Sequence, residues 1–242
     1  MKEYLGEEFG QSIITNTIDG IKDKIYRYSP IFLIAYCPIY MVWFSLLEKN
    51  VEIKYLINTS IDTHIPFLEI FIIPYLIWFG YVAVPMVYFC FKSRRDFVRT
   101  GLFLCLGMTI CLIIYTVFPH GIKLRPDSFP RNNIFTDLVR FIYSMDTSTN
   151  VCPSIHCLNS IGIHMGIVKS EKLSKNKKLC LSSRILMVLI CMSTVFVKQH
   201  SIVDVCAAVV LSVPLYYISF VYDWNGVLKK YILIKFQKTQ KI

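Results

Sequence analysis

The chain has 242 residues, 55% hydrophobic and only 17% charged, with a mean hydropathy of +0.51. Soluble domains carry more charge, and here the apolar residues fall in blocks, so the chain reads as one compact membrane domain without a sizeable soluble one. The net charge of +10 matches the positive bias of membrane loops better than nucleic-acid binding, and no nucleic-acid partner is expected.

The first 29 residues are polar and mixed in charge, with Glu3, Glu7, Glu8, Asp19 and Asp23 among the lysines. No cleavable leader is expected there, and residues 1–30 read as a cytoplasmic N-terminal segment. Six apolar stretches follow, at about 31–47, 67–91, 101–118, 153–168, 185–197 and 201–222. They predict an all-α polytopic membrane helix bundle with six transmembrane helices over residues 31–222. The fourth and fifth stretches are short for a span. They are retained because helices lining a polar cavity tolerate polar residues such as His156, Asn159 and His164. Residues 223–242 read as a basic cytoplasmic tail.

Orientation follows from Lys and Arg. With both termini cytoplasmic, 19 of the 26 cations fall on the cytoplasmic side, as the positive-inside rule requires. The expectation is a multi-pass protein of the plasma membrane. The 119–152 loop, the start of the fourth helix and the turn at His200 then share the outer face. The Lys-rich run 169–178 reads as a cytoplasmic loop. The nine cysteines are scattered through apolar runs, with no zinc spacing and no disulfide framework.

Three runs near that face carry chemistry. His120-Gly-Ile-Lys123-Leu-Arg125-Pro126 places cations beside a membrane, where a fork and a point charge suit phosphate. Cys152-Pro153-Ser154-Ile155-His156 starts a helix with proline, and free amides there form an anion site. In Lys198-Gln-His200-Ser-Ile-Val-Asp204, helical spacing would set Asp204 one turn from His200. A carboxylate there can hold one ring nitrogen and leave the other free to act. His64, His120 and His164 are read as structural.

The order Arg-Pro, then Pro-Ser-x-His about 28 residues on, then His-x-x-x-Asp about 44 residues later, resembles the type 2 phosphatidic acid phosphatase superfamily, which also includes vanadium haloperoxidases. The resemblance covers roughly residues 70–222. The chain departs from the common pattern in three places. Phe118 stands where the first motif has Lys, Ile155 replaces the glycine of the second, and Ser193-Thr194 replaces the Ser-Arg that opens the third. Pro-Ser-x-His with a bulky third residue, and a third motif without Arg, look like the inositol phosphorylceramide synthase branch.

The resemblance implies a metal-independent transfer through a phosphohistidine, with no cofactor and a membrane lipid as substrate. His200 would be the nucleophile, Asp204 its orienting carboxylate and His156 the acid and base. Arg125, Lys123, Ser154 and Lys198 would bind the phosphate. The reactions implied are lipid phosphate hydrolysis, inositolphosphotransferase-type headgroup transfer, or polyprenyl diphosphate hydrolysis. A catalytically idle membrane protein that keeps the fold is the other expectation. Oligomeric state is not legible in the sequence.

Overall fold

The computed structural model describes the backbone of residues 2–50 and 52–224, with side chains from Thr15 onward. In chain order it has α1 (Lys2–Asn50), β1 (Tyr55–Leu56), α2 (Ser60–His64), α3 (Ile72–Lys92), α4 (Arg94–Val117), β2 (His120–Gly121), α5 (Ile134–Met145), α6 (Ile155–Lys169), α7 (Lys177–Phe196) and α8 (Ile202–Tyr216). A π turn, Tyr217–Val221, extends α8. The fold is an all-α polytopic membrane bundle.

Among the described residues, five helices are long and apolar enough to cross a membrane: Thr15–Asn50, Glu69–Lys92, Arg94–Val117, Lys177–Phe196 and Ile202–Val221. The sixth expected span does not reach that length. α6 has 15 residues, which is about 22 Å at 1.5 Å per residue, short of a hydrocarbon core of about 30 Å. Ten of those 15 are buried. It is an interior helix wrapped by α3, α4, α7 and α8, which is why its sequence tolerates Asn159, Ser160 and His164.

Two glycines let α6 approach α4. A Cβ on Gly162 would stand 2.4 Å from Phe103 Cδ1, and one on Gly166 would stand 2.4 Å from Thr100 Oγ1. Small residues four apart on a membrane helix allow this close packing. The helices meet around Phe89, Phe103, Leu112, Leu158, Ile163 and Leu215, all buried.

Several helices run beyond their apolar stretches. α4 starts at Arg94 because the Ser93 hydroxyl accepts from the Asp96 amide and caps its polar first turn. α7 starts at Lys177, where Asn176 does the same for Leu179. The boundary expected at residue 30 falls inside α1. Most of the expected tail, residues 225–242, lies outside the described residues.

The two ends of the bundle differ. At one end Arg95 pairs with Glu171, tying the α3–α4 turn to the α6–α7 turn. At the other lie the 51–68 segment, the 118–154 segment and the turn between α7 and α8. There β1 and β2 pair in parallel, Tyr55 opposite His120. The 119–152 segment is more than a loop. It contains α5, capped by Asn133 and packed through Val139 and Ile142 against Ile72 and Tyr75.

Candidate active site

Each predicted run ends at that second end, and backbone bonds join them. The α6 N-terminus is held from three sides. The Ser154 amide donates to the Asp204 carbonyl at 3.1 Å, the Tyr115 hydroxyl donates to the Pro153 carbonyl at 2.6 Å, and Trp78 Nε1 donates to the His156 carbonyl at 3.1 Å. Ser154 is the N-cap, its hydroxyl accepting from the Cys157 amide. The amides of Ile155 and His156 belong to the unpaired first turn of the helix.

His200 and Asp204 are together, but not on one helix. His200 precedes the N-cap Ser201, and Asp204 is the third residue of α8. Its carboxylate turns back in a capping box: Oδ2 accepts from the Ser201 amide at 2.9 Å and faces His200 Nδ1 at 3.1 Å. A helix N-terminus favours such a carboxylate. The pairing expected from helical spacing thus arises from a cap, and Nε2 of His200 is left for the cavity. Burial works to lower the His200 pKa, but the hydrogen bond and charge of Asp204 outweigh it and raise it above the ordinary histidine value of 6.5.

His156 and His200 face each other with ring centroids 5.6 Å apart. The His156 ring also lies against Tyr75 at 4.7 Å and Trp78 at 4.3 Å. Both histidines line a cavity of about 310 Å³, whose walls include Tyr40 and Phe44 of α1 and Phe79 of α3. Its lining is mainly apolar and aromatic, as small-molecule sites are.

The expected cations sit elsewhere. Arg125 lies behind the cavity. Its guanidinium donates to the carbonyls of Tyr143 (3.1 Å) and Asp146 and to Gln199 Oε1 (2.6 Å), and stacks 4.2 Å over the Tyr143 ring. Lys198, in a left-handed backbone conformation with φ 55°, donates through Nζ to the carbonyls of Asp62 (2.8 Å) and Ile65. Burial lowers its pKa, opposed by Asp62. Lys123 is exposed, and its amide donates to Asn58 Oδ1. None of these three lines the cavity. The structure therefore brings His156, His200 and Asp204 together, with Ser154 buried just behind them. Arg125 stands one residue further back, and Lys123 and Lys198 point elsewhere.

The histidines read as structural behave so. His120 is buried, with Nδ1 at 2.6 Å from the Phe118 carbonyl and Nε2 accepting from the Cys152 amide at 2.7 Å. His164 meets the Ser183 hydroxyl, and His64 the Ser60 carbonyl.

Sequence reasoning missed Asp62, Tyr75, Trp78, Asp146, Asn150 and Gln199. Asp62 is buried. Its carboxylate accepts from the amides of Thr59 (2.7 Å) and Ile202 (2.8 Å) and the hydroxyls of Thr59 (2.9 Å) and Ser201 (2.7 Å). The short helix α2 thus ties down both flanks of His200. A capping-box pattern, Thr59 with Asp62, was the one signal for it. Asp146 accepts from the Tyr75 hydroxyl at 3.0 Å. Burial raises its pKa, against the pull of His200, Tyr75 and Arg125. Among the described residues, no group of three or more His, Cys, Asp or Glu side chains is placed to hold a metal ion.

Comparison of the chain with protein-family models, with curated proteins and with solved structures finds no match.

Proposed function

We propose that the protein is an integral membrane phosphatase or phosphotransferase acting on a phospholipid or isoprenoid phosphate through a phosphohistidine. The observation that carries this reading is the His200–Asp204 pair facing His156 in the wall of a mainly apolar cavity of about 310 Å³. In the first step the Nε2 lone pair of His200 attacks phosphorus and the bond to the leaving alkoxide breaks. His156 gives that alkoxide its proton. Asp204 keeps Nδ1 protonated and balances the charge that develops on the ring. In the second step water or an alcohol gives its proton to His156 and attacks phosphorus, and the N–P bond breaks.

In this reading the free amides of Ile155 and His156, in the first turn of α6, would donate to phosphate oxygens, as helix N-termini do. Arg125 acts through Gln199 and the general positive potential. Transfer to an alcohol, as in inositolphosphotransferase chemistry, is favoured over hydrolysis of a phosphate monoester by one observation: among the described residues no Lys or Arg lines the cavity. A phosphodiester carries one negative charge and a monoester up to two, so the diester needs less cationic support.

In this reading α6 completes a sixth crossing within the bundle, both termini are cytoplasmic, and the site opens on the outer face of the plasma membrane. The test is turnover of labelled phosphatidate, polyprenyl diphosphate and a phosphodiester lipid by purified protein in lipid. Trapping of label on protein at acid-labile, base-stable sites supports the reading. Unchanged turnover in His200→Ala would overturn it.

A further inference from the structure

The cavity holds polar groups that the two histidines and their phosphate do not use. Asn150 is buried, 4% exposed, and lines the cavity. Its backbone is fixed: the amide donates to the His120 carbonyl at 2.7 Å, and φ is 55°. Neither atom of its side-chain amide has a hydrogen-bond partner. Gln199, 1% exposed, lines the same wall. Arg125 engages its Oε1 and so fixes which way the amide faces. Its Nε2 lies toward the Tyr75 hydroxyl, outside bonding geometry. Asp146 adds a carboxylate that accepts only from Tyr75. Buried polar atoms are rarely left unpaired without a purpose.

We propose that Asn150, with Asp146 and Gln199, forms a subsite beside the histidine pair that takes a neutral, hydroxyl-bearing group. The chemistry of the donors and acceptors selects that class. The free Asn150 amide offers one acceptor and a donor pair, and a hydroxyl answers both. A phosphate oxygen only accepts, and meets like charge at Asp146. An ammonium only donates, and leaves the amide donors of Asn150 and Gln199 unanswered. The hydroxyl can belong to the head of a phosphodiester lipid or to the alcohol that receives the phosphoryl group. The assignment rests on the transfer reading for its link to turnover, but not for binding.

The experiment uses full-length protein in micelles doped with phosphatidylglycerol, phosphatidylethanolamine or phosphatidate of one acyl composition. Two variants are compared with wild type. Asn150→Gly accepts the left-handed backbone, and Asp146→Asn can still accept from Tyr75. Phosphatidylglycerol should raise the melting temperature of wild type and of His200→Ala more than the other two lipids do. Asn150→Gly should lose that difference, and Asp146→Asn should reduce it. In turnover, Asn150→Gly should raise KM for phosphatidylglycerol at least tenfold while leaving the other two within threefold.

If the acceptor is the occupant, Asn150→Gly should instead lower the ratio of glycerol phosphate to free phosphate formed from phosphatidate in added glycerol. Equal melting shifts with all three lipids, together with a product ratio indifferent to Asn150, would overturn the subsite. Loss of lipid discrimination in neither variant, with that product ratio also unchanged by Asn150→Gly, would do the same. A preserved phosphatidylglycerol shift with no turnover, or with turnover indifferent to His200, would leave the subsite standing and remove the phosphate-transfer reading.

Discussion

Asp62→Asn is the substitution whose consequence the geometry fixes best. The carboxylate is 1% exposed and accepts four hydrogen bonds, three on Oδ2 and one, from the Ile202 amide, on Oδ1. An asparagine keeps one oxygen. If that oxygen serves the Thr59 and Ser201 donors, its NH2 faces the Ile202 N–H. One charged hydrogen bond is lost outright, at about 1.5–3 kcal/mol, and three are weakened to neutral strength. A destabilisation of about 3 kcal/mol is expected, read by equilibrium unfolding in detergent.

Because Ser201 and Lys198 flank His200 and both depend on Asp62, kcat should fall further than stability alone requires. A misplacement of about 1 Å costs on the order of a hundredfold. The pH dependence provides a second check. Burial works to raise the Asp62 pKa, but the amides of Ile202 and Thr59 and the two hydroxyls hold it below the ordinary aspartate value of 3.8. Its contribution is therefore complete above that pH and is lost only as pH falls through the depressed folded value. Between pH 5 and 8 the gap between wild type and Asp62→Asn should stay constant. A gap under 0.5 kcal/mol, or one that closes between pH 7 and 5, would refute the reasoning.

Other consequences concern the histidine pair and the helix contacts. In the proposed transfer His200 must lose a proton to act, and its pKa stands above 6.5 because Asp204 outweighs burial, so activity should rise with pH through that raised value. In Asp204→Asn burial acts without the carboxylate, and the acid limb of the rate profile should move to lower pH while the plateau rate drops at least a hundredfold. The linked stability has the opposite slope: the His200–Asp204 contribution is complete below the unfolded histidine value and fades as pH rises through the folded one, which pH-dependent unfolding will show. Gly162→Ala sets a methyl group into the Phe103 ring and should cost about 1–3 kcal/mol, measured by unfolding. Gly80→Ala, with nothing within 4 Å, is the neutral control. Arg125→Lys gives up the fork that holds two carbonyls and Gln199, and its melting temperature and KM should both change, whereas Lys123→Met should change neither.

The sequence by itself determined the membrane class and the set of apolar segments, because burying that much hydrocarbon in helices has few solutions outside a bilayer. The Lys and Arg count led to the expectation that the runs around His156 and His200 share one face, and the two rings do meet at one end of the bundle. The sequence did not determine that α6 is a short interior helix rather than a full-length, lipid-facing span, because a run of apolar residues has no memory of what will surround it. Packing decided that: Gly162 and Gly166 draw α6 against α4, and its polar residues find partners inside the protein.

Nor could spacing tell an i,i+4 helical pair from a capping box. His200 and Asp204 have the same separation in both, and the backbone turn at Val197–Ser201, held by the Thr194 carbonyl, settled which one forms. The cations show the limit most sharply. Arg125, Lys123 and Lys198 stand near the motifs in sequence, yet Arg125 and Lys198 took the carbonyls and side chain within their reach, and Lys123 is exposed. The polar groups that line the cavity with the histidines, Asn150, Gln199 and Asp146, come from segments with no pattern to announce them. Local residue types wrote the helices and the cap. Only the approach of the 118–154 segment to the α7–α8 turn decided which side chains the two histidines would have for company.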